Sequence, residues 1–478
     1  MNVLNQGSMA RGTAVALLVA GAIFMENLDG TVILTALPQM AKSFQVQPLD
    51  LNIGVSAYLL TLAALIPVSG WIADRLGIRT VFAAAIVVFT VASILCGLCQ
   101  TLPMFTLARI LQGFGGAMMV PVGRLAVLRT TEKHELINAI ATITWPGLAA
   151  PLLGPPLGGF IATYFSWHWI FYLNVPLGVA ALLFALRLLP TGGEERRKPF
   201  DGIGFILTGT GCFALIYGLE LMSREQTSRR AIGLTLLLIA SIWFVATLHA
   251  KRHAHPMMDL RAFAIRSYRV TIRGGSFFRM VTSSIPFLLP LLFQIGFGLN
   301  AFMSGLLVLA VFAGNIAMKP LTTPILRRFP FRSVLVVNGT ANALIIFACA
   351  LLGPKTPVSA IVALLFASGL TRSMQYSALN TLAFADVPAT WMSSANTFFN
   401  MTQQLSMAMG IALGAVALRI AGLWGPRAAS GAIPMENFHR AFLMVGAVAV
   451  LVVLDSLSLD RTAGDSVRRL RSIEVASE

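Results

Sequence analysis

A chain of 478 residues that is 56% hydrophobic and only 11% charged is not a soluble protein, since soluble domains carry about 25% charged residues. Its 35 Lys and Arg against 19 Asp and Glu give a net charge of +16, which invites a nucleic-acid reading. The basic residues fall in short loops between apolar segments, as the positive-inside rule expects of a membrane protein, so the expected partner is the lipid bilayer and not a nucleic acid.

The first apolar segment, 13–37, is long enough to cross a bilayer, which takes about 20 residues. It carries two carboxylates, Glu26 and Asp29, three positions apart and so on one face of a helix. At about 1.5 Å per residue both lie past the midplane, where an acid costs at least about 2.5–3.5 kcal/mol. A chain that accepts this cost twice in one turn uses the groups to bind or carry something; the alternative is an interfacial pair solvated by headgroups. The acids, and the lack of a small-residue cleavage site, make this an uncleaved helix.

Pro38 to Asp50 reads as a short polar hairpin, and spans follow at 51–73, 80–98, 104–127, 139–162 and from Trp167 to Leu188. A polar linker over 190–199 leads to two more apolar stretches, 202–222 and 231–249, and then to a basic linker over 251–273. Six further spans lie at 270–294, 301–320, 333–352, 358–378, 394–418 and 441–459, before a polar, basic tail. That makes fourteen. With the N-terminus in the cytoplasm, cytoplasmic segments hold about three times as many Lys and Arg as outer ones. An even count returns the C-terminus to the same side.

An internal repeat supports this layout. Pro67 to Arg79 aligns with Pro320 to Arg332, and at a similar offset Gly113 meets Gly369, Gly154 meets Gly410 and Gly158 meets Gly414. Duplicated six-helix units with a substrate site between them are a transporter architecture. The expected domains are therefore an N-terminal bundle over 1–190, linkers and two inserted helices over 191–268, a C-terminal bundle over 269–459 and a tail over 460–478.

Four cations stand within spans. Arg109 needs a carboxylate or several carbonyls if buried, and Asp29 or Glu26 is the obvious partner class. A change in that contact would alter proton occupancy of the acids; a snorkelling Arg at the rim is the alternative. Arg279 occupies the position that Glu26 holds in the first copy. It suits an ion pair with Glu26 or Asp29, an anionic substrate, or a structural role. Lys319 and Arg372 lie nearer the span ends and read as snorkelling. Gln375, Asn380, Asn396, Asn400, Gln403 and Gln404 give two late spans a polar stripe suited to hydrogen-bonding a ligand or each other, and Gln112 joins Gln375, Asn396, Asn400 and Gln403 as candidate polar lining of a cavity. Glu220 and Asp455 read as interfacial. The four cysteines lie in apolar segments, where Cys96 and Cys99 suggest small-residue packing.

Five motifs resemble the major facilitator superfamily, in particular its fourteen-helix drug–proton antiporter branch (EmrB/QacA-like) and, within it, the MdtD/HsrA-like subgroup. They are Leu28-Asp29-Gly30-Thr31 with Ala36-Leu37-Pro38; Gly70, Asp74, Arg75, Gly77 and Arg79; Arg109, Gln112, Gly113 and Gly115-Gly116-Ala117; Gly154-Pro155 with Gly158-Gly159; and Trp167 to Gly178. The resemblance implies an all-α integral membrane protein with two six-helix bundles and two inserted helices. It implies that Asp74, Arg75 and Arg79 form a conformational latch through charge-assisted hydrogen bonds, with Gly70 and Gly77 allowing close helix approach and a tight turn. Prolines and small residues around Gly154, Pro155, Gly158 and Gly159 suit a kinked, tightly packed pivot. Two departures stand out: His168 replaces an Arg common in the branch, and Arg327 stands in the second copy where the first has Asp74.

Enzyme signatures are absent, including any phosphate-binding G-x-x-x-x-G-K-[ST], and the six histidines show no ligand spacing, so no metal is expected. The expected activity is proton-coupled export of small amphipathic compounds, cationic if the helix-1 acids dominate. The alternatives are export of an organic anion or metabolite, which Arg279 would favour, and a transporter-like sensor without flux. Protons are the coupling ion, no other cofactor is expected, and the chain is expected to act as a monomer of the bacterial inner membrane.

Overall fold

The computed structural model describes residues 2–130, 136–189, 200–223, 228–253, 256, 260–388, 391–424 and 433–465. The linker 190–199 and the tail beyond 465 lie outside them, as does the loop 131–135. Among the described residues the chain is helical throughout, with no strand. It divides into two compact units, Met1–Ile216 with Asn300–Gly305, and Tyr217–Leu299 with Leu306–Glu478.

In the first unit, α1 (Asn2–Val32) packs on α6 (Leu136–Tyr164), while α5 (Leu102–Thr130) packs on both α3 (Asn52–Leu76) and α4 (Ile78–Leu98). Val15, Val19 and Met25 of α1, Tyr58 and Leu62 of α3, Phe82 and Phe89 of α4, and Met119 and Val122 of α5 fill its centre. The expected hairpin after Pro38 is instead partly helical. A single 3-10 turn, Ile33–Thr35, leads into α2 (Leu37–Phe44). Pro38 sits in the first turn of α2, where its missing N–H costs nothing. Gln45 ends the helix in the left-handed conformation (φ 57°). The span opened by Trp167 is broken into α7 (Trp169–Tyr172) and α8 (Asn174–Leu188). Gly77, at φ 84°, makes the turn between α3 and α4, a conformation that an L side chain rarely adopts. α9 (Gly202–Ser223) begins in this unit.

The second unit contains α10 (Arg229–Arg252), α11 (Arg266–Leu291), most of α12 (Ala301–Ala317), α13 (Lys319–Arg328), α14 (Phe331–Cys349), α15 (Val358–Ala385), α16 (Met392–Trp424) and α17 (Met435–Leu457). α11 packs on α16, and α14 on α15 and α17. α11 passes into one π-helical turn, Leu292–Gly296. Pro286 and Pro290 have removed two backbone donors just before it, the circumstance in which a ladder re-registers. The span expected at 301–320 ends early, and the segment that aligns with the first copy's loop motif is itself helical. α12 and α13 meet at a 45° bend, with Pro320 in the first turn of α13.

Eleven described helices are long and apolar enough to cross a membrane, or twelve if the bent α12–α13 pair is one span. α6 and α9 occupy the other two places where the sequence puts spans; the count of fourteen is not reached by the qualifying helices alone. Burial is inverted relative to a soluble protein. Leu351 is 83% exposed and Leu107 67%, while Arg109 and Arg279 are fully buried. Apolar surface on this scale needs lipid or another covering.

Candidate functional site

The first unit encloses a polar network among four helices. Arg109 and Gln112 stand three apart on α5 and so share a face. Arg109 Nη1 donates to Asp29 Oδ2 of α1 at 2.5 Å and to Gln112 Oε1 at 2.6 Å. Gln112 Nε2 donates to Asp29 Oδ1 at 2.9 Å and to Ser93 Oγ of α4 at 2.8 Å. Asn174 Nδ2, at the start of α8, donates to Asp29 Oδ1 at 2.9 Å. Asp29, Ser93, Arg109, Gln112 and Asn174 are all at most 2% exposed. A buried ion pair holds only when further hydrogen bonds answer its remaining lone pairs, and Gln112 and Asn174 supply them to Asp29. Gln112 is thus committed to this network.

Arg109 meets a fifth element as well. Its Cζ lies 4.3 Å from the centre of the Tyr58 ring, a cation–π distance. Tyr58 Oη is buried without a hydrogen-bond partner, and so is Oε2 of half-buried Glu26. Both approach one point beside Gly116, where a Cβ would lie 3.2 Å from Tyr58 Oη and 3.7 Å from Glu26 Cδ. The two helix-1 acids therefore differ. Asp29 is answered by a cation and two amides; Glu26 keeps one buried oxygen unanswered beside a hydroxyl. Ser93, Asn174 and Tyr58 are the members that the sequence left unassigned. Asn174 stood inside a motif, whereas Ser93 and Tyr58 gave no signal.

The glycines around the pivot motif press against helix 1. A Cβ on Gly154 would overlap the Thr31 side chain, and one on Gly158 the carbonyl oxygen of Val32. Pro155 and Gly159 face Gly305 and Ala301, which belong to the same unit. Of the expected latch, Asp74 is half-buried near the end of α3, Arg79 half-buried in the first turn of α4, and Arg75 exposed with its Cζ 5.3 Å from the Trp71 ring. Gly70 does not serve close helix approach, since a Cβ there meets nothing within 4 Å.

In the second unit, Gln375 is committed to α14, accepting from Asn338 at 2.7 Å. Asn396 is exposed, and Asn400 and Gln403 are half-buried. Lys319 Nζ donates to Ser377 Oγ at 3.3 Å. Asp455, read as interfacial, is 8% exposed and ion-paired with Arg273. Glu220 lies outside the described side chains. His249 in the last turn of α10 and His253 just after the helix have ring centres 5.0 Å apart, so the expectation that no histidines share a ligand spacing is corrected there.

His168 lies before α7, its ring stacked on Trp167 at 3.7 Å and its Nδ1 2.5 Å from Ser166 Oγ. Burial lowers its pKa from the usual 6.5. A base whose folded pKa is depressed contributes stability that is full above pH 6.5 and falls as pH drops through the folded value. Wild-type protein is therefore expected to lose thermal stability below pH 6.5 more steeply than His168→Gln, read from unfolding temperatures between pH 5 and 8.

An all-helical chain with apolar residues outward and a charged network buried between helices defines a polytopic membrane protein. The family model described as Major Facilitator Superfamily matches residues 19–411, and the chain belongs to that superfamily; it is a transporter, not an enzyme. Among its relatives, a Klebsiella pneumoniae (strain 342) protein provisionally named multidrug resistance protein MdtD is 36% identical, over 94% of each chain. A Serratia proteamaculans (strain 568) protein of the same name is also 36% identical, over 94% of this chain and 93% of that one. The fold is shared with a D-xylose–proton symporter (TM-score 0.67, 14% identity, 95% of this chain and 98% of that one). It is also shared with a bacterial homologue of the human lysosomal transporter Spinster (TM-score 0.62, 16% identity, 95% and 97%).

Proposed function

We propose that the chain is a proton-coupled exporter of small amphipathic compounds, acting as a monomer in the bacterial inner membrane with both termini in the cytoplasm. Glu26 carries the coupling proton, and Asp29 with Arg109 forms the element that responds to it. The observation behind this reading is the contrast between the two acids. A buried carboxyl oxygen that accepts no hydrogen bond, with Arg124 as the cation acting on the group, is a place where a proton can be held and released, while Asp29 is already hydrogen-bonded to Arg109. Tyr58 links the two, its ring against Arg109 and its hydroxyl beside Glu26. The MdtD relatives, named for multidrug resistance, and the fold shared with a proton symporter support the same reading.

The test is proton movement into liposomes that carry an interior pH dye, as candidate compounds are added. Glu26→Gln is expected to abolish substrate-dependent proton movement. Movement that persists in Glu26→Gln and disappears in a folded Asp29→Asn protein would place the proton on Asp29. Movement in neither the wild type nor the variants, with substrate still bound, would favour a sensor.

A further inference from the structure

In the second unit two guanidiniums, one buried and one half-buried, have no carboxylate partner among the described residues. Arg279 on α11 is fully buried, yet its Nε and Nη1 have no hydrogen-bond partner, and its remaining bond is a long one of 3.4 Å from Nη2 to Asn380 Oδ1. Arg372 on α15 likewise has buried, unpartnered Nε and Nη1. Among the described residues, neither is ion-paired with a carboxylate. Arg372 as a whole is half-buried, so it combines an enclosed Nε and Nη1 with partial exposure of the residue.

Both cations face one aromatic cluster. The Cζ atoms of Arg279 and Arg372 lie 6.0 and 5.9 Å from the centre of the same Tyr376 ring. Arg279 also stacks over Phe399 at 4.6 Å, and Arg372 approaches Phe312 at 5.6 Å. Arg372 lines a small cavity with Thr282, Asn342 and Ser368 as its polar wall. The backbone yields room for this arrangement, since a Cβ on Gly275 would stand 2.7 Å from Arg279 Nη1.

An uncompensated guanidinium in a low-dielectric interior is costly. Arg also presents several donors in a fixed fork that matches a carboxylate. Two such forks with unused donors around one ring define a site for an oxyanion, and the rings beside them suit an apolar body.

We propose that Arg279 and Arg372, with Tyr376 and Phe399, form a binding site for an amphipathic organic carboxylate, the anionic end held by the guanidiniums and the apolar end against the rings. This deepens the exporter reading by naming a substrate class, and it rests on that reading for the consequence of binding but not for the site.

The test is equilibrium binding to the full-length protein in detergent, without any gradient. The probes are 2-naphthoate and its uncharged counterpart 2-naphthamide. Wild type is expected to bind the carboxylate at least about tenfold more tightly than the amide, the size of one charge-assisted contact. Arg279→Gln and Arg372→Gln should each bring the ratio close to one. Gly275→Ala, which keeps both charges but displaces the Arg279 fork, should lower it. The two Gln variants should also unfold at a higher temperature than wild type when empty, because a binding site's unanswered charge is a burden to the empty fold. Equal binding of the two probes by wild type, or an unchanged ratio in the variants, would overturn the site. So would a lower unfolding temperature in both Gln variants, which would make the arginines structural. Loss of proton movement in liposomes with the binding ratio intact would count against the proton-coupling reading and leave the site standing.

Discussion

Arg109→Gln is expected to cost about 3–5 kcal/mol of stability, the usual penalty for removing one partner of a buried ion pair. The variant strands Asp29, which is 2% exposed, with two amide donors and no cation. It also removes the guanidinium that stacks on Tyr58. The pair sits in a network that ties four helices of the first unit together, so the loss should appear as early thermal unfolding of the purified protein in detergent. The double variant Asp29→Asn/Arg109→Gln removes both charges and keeps hydrogen-bonding groups in place. It should recover most of the lost stability, giving a large coupling energy in a double-mutant cycle. Additive losses would mean that the pair is not coupled. The double variant should nonetheless fail to move protons, because the element that responds to Glu26 is gone.

Gly158→Val is expected to prevent folding of the first unit. Overpacking in an adaptable core costs about 1–3 kcal/mol; here the obstacle is the carbonyl oxygen of Val32 and the Thr35 hydroxyl. Backbone cannot rotate away as a side chain can, so α1 and α6 would have to separate along the line that also includes Gly154 and Thr31. Monodisperse protein after detergent extraction should fall to a small fraction of wild type. Gly70→Ala is the control: a Cβ there enters open space, so its yield should match wild type. Normal yield from Gly158→Val would show that the helix pair can part without harm.

Much of this site was readable in the sequence because charge at membrane depth is conspicuous. Asp29, Glu26 and Arg109 stand out against apolar neighbours, and the choice of Asp29 or Glu26 as the partner class of Arg109 needed only that contrast. Which acid would be taken was not readable, since both share a face. Ser93 was hidden because a serine in an apolar helix satisfies itself on its own backbone, as it also does here through Phe89 O at 2.9 Å. That Arg372 keeps Nε and Nη1 enclosed was not readable, because position along a span says nothing about how far neighbouring helices close over the side chain. The helices at Leu37–Phe44 and Lys319–Arg328 were missed for one reason: proline was taken as an end in places where it marks a beginning.

Arg279 and Arg372 also matter as electrical elements. A charge carried across the whole membrane field exchanges about 2.3 kcal/mol per 100 mV, and any part of that path yields a proportionate share. An empty site holds two positive charges and a carboxylate-bearing one holds a single net charge. The membrane potential therefore acts with different force on the empty and the loaded forms, and in a cell with a negative interior it draws the empty form more strongly toward the cytoplasm.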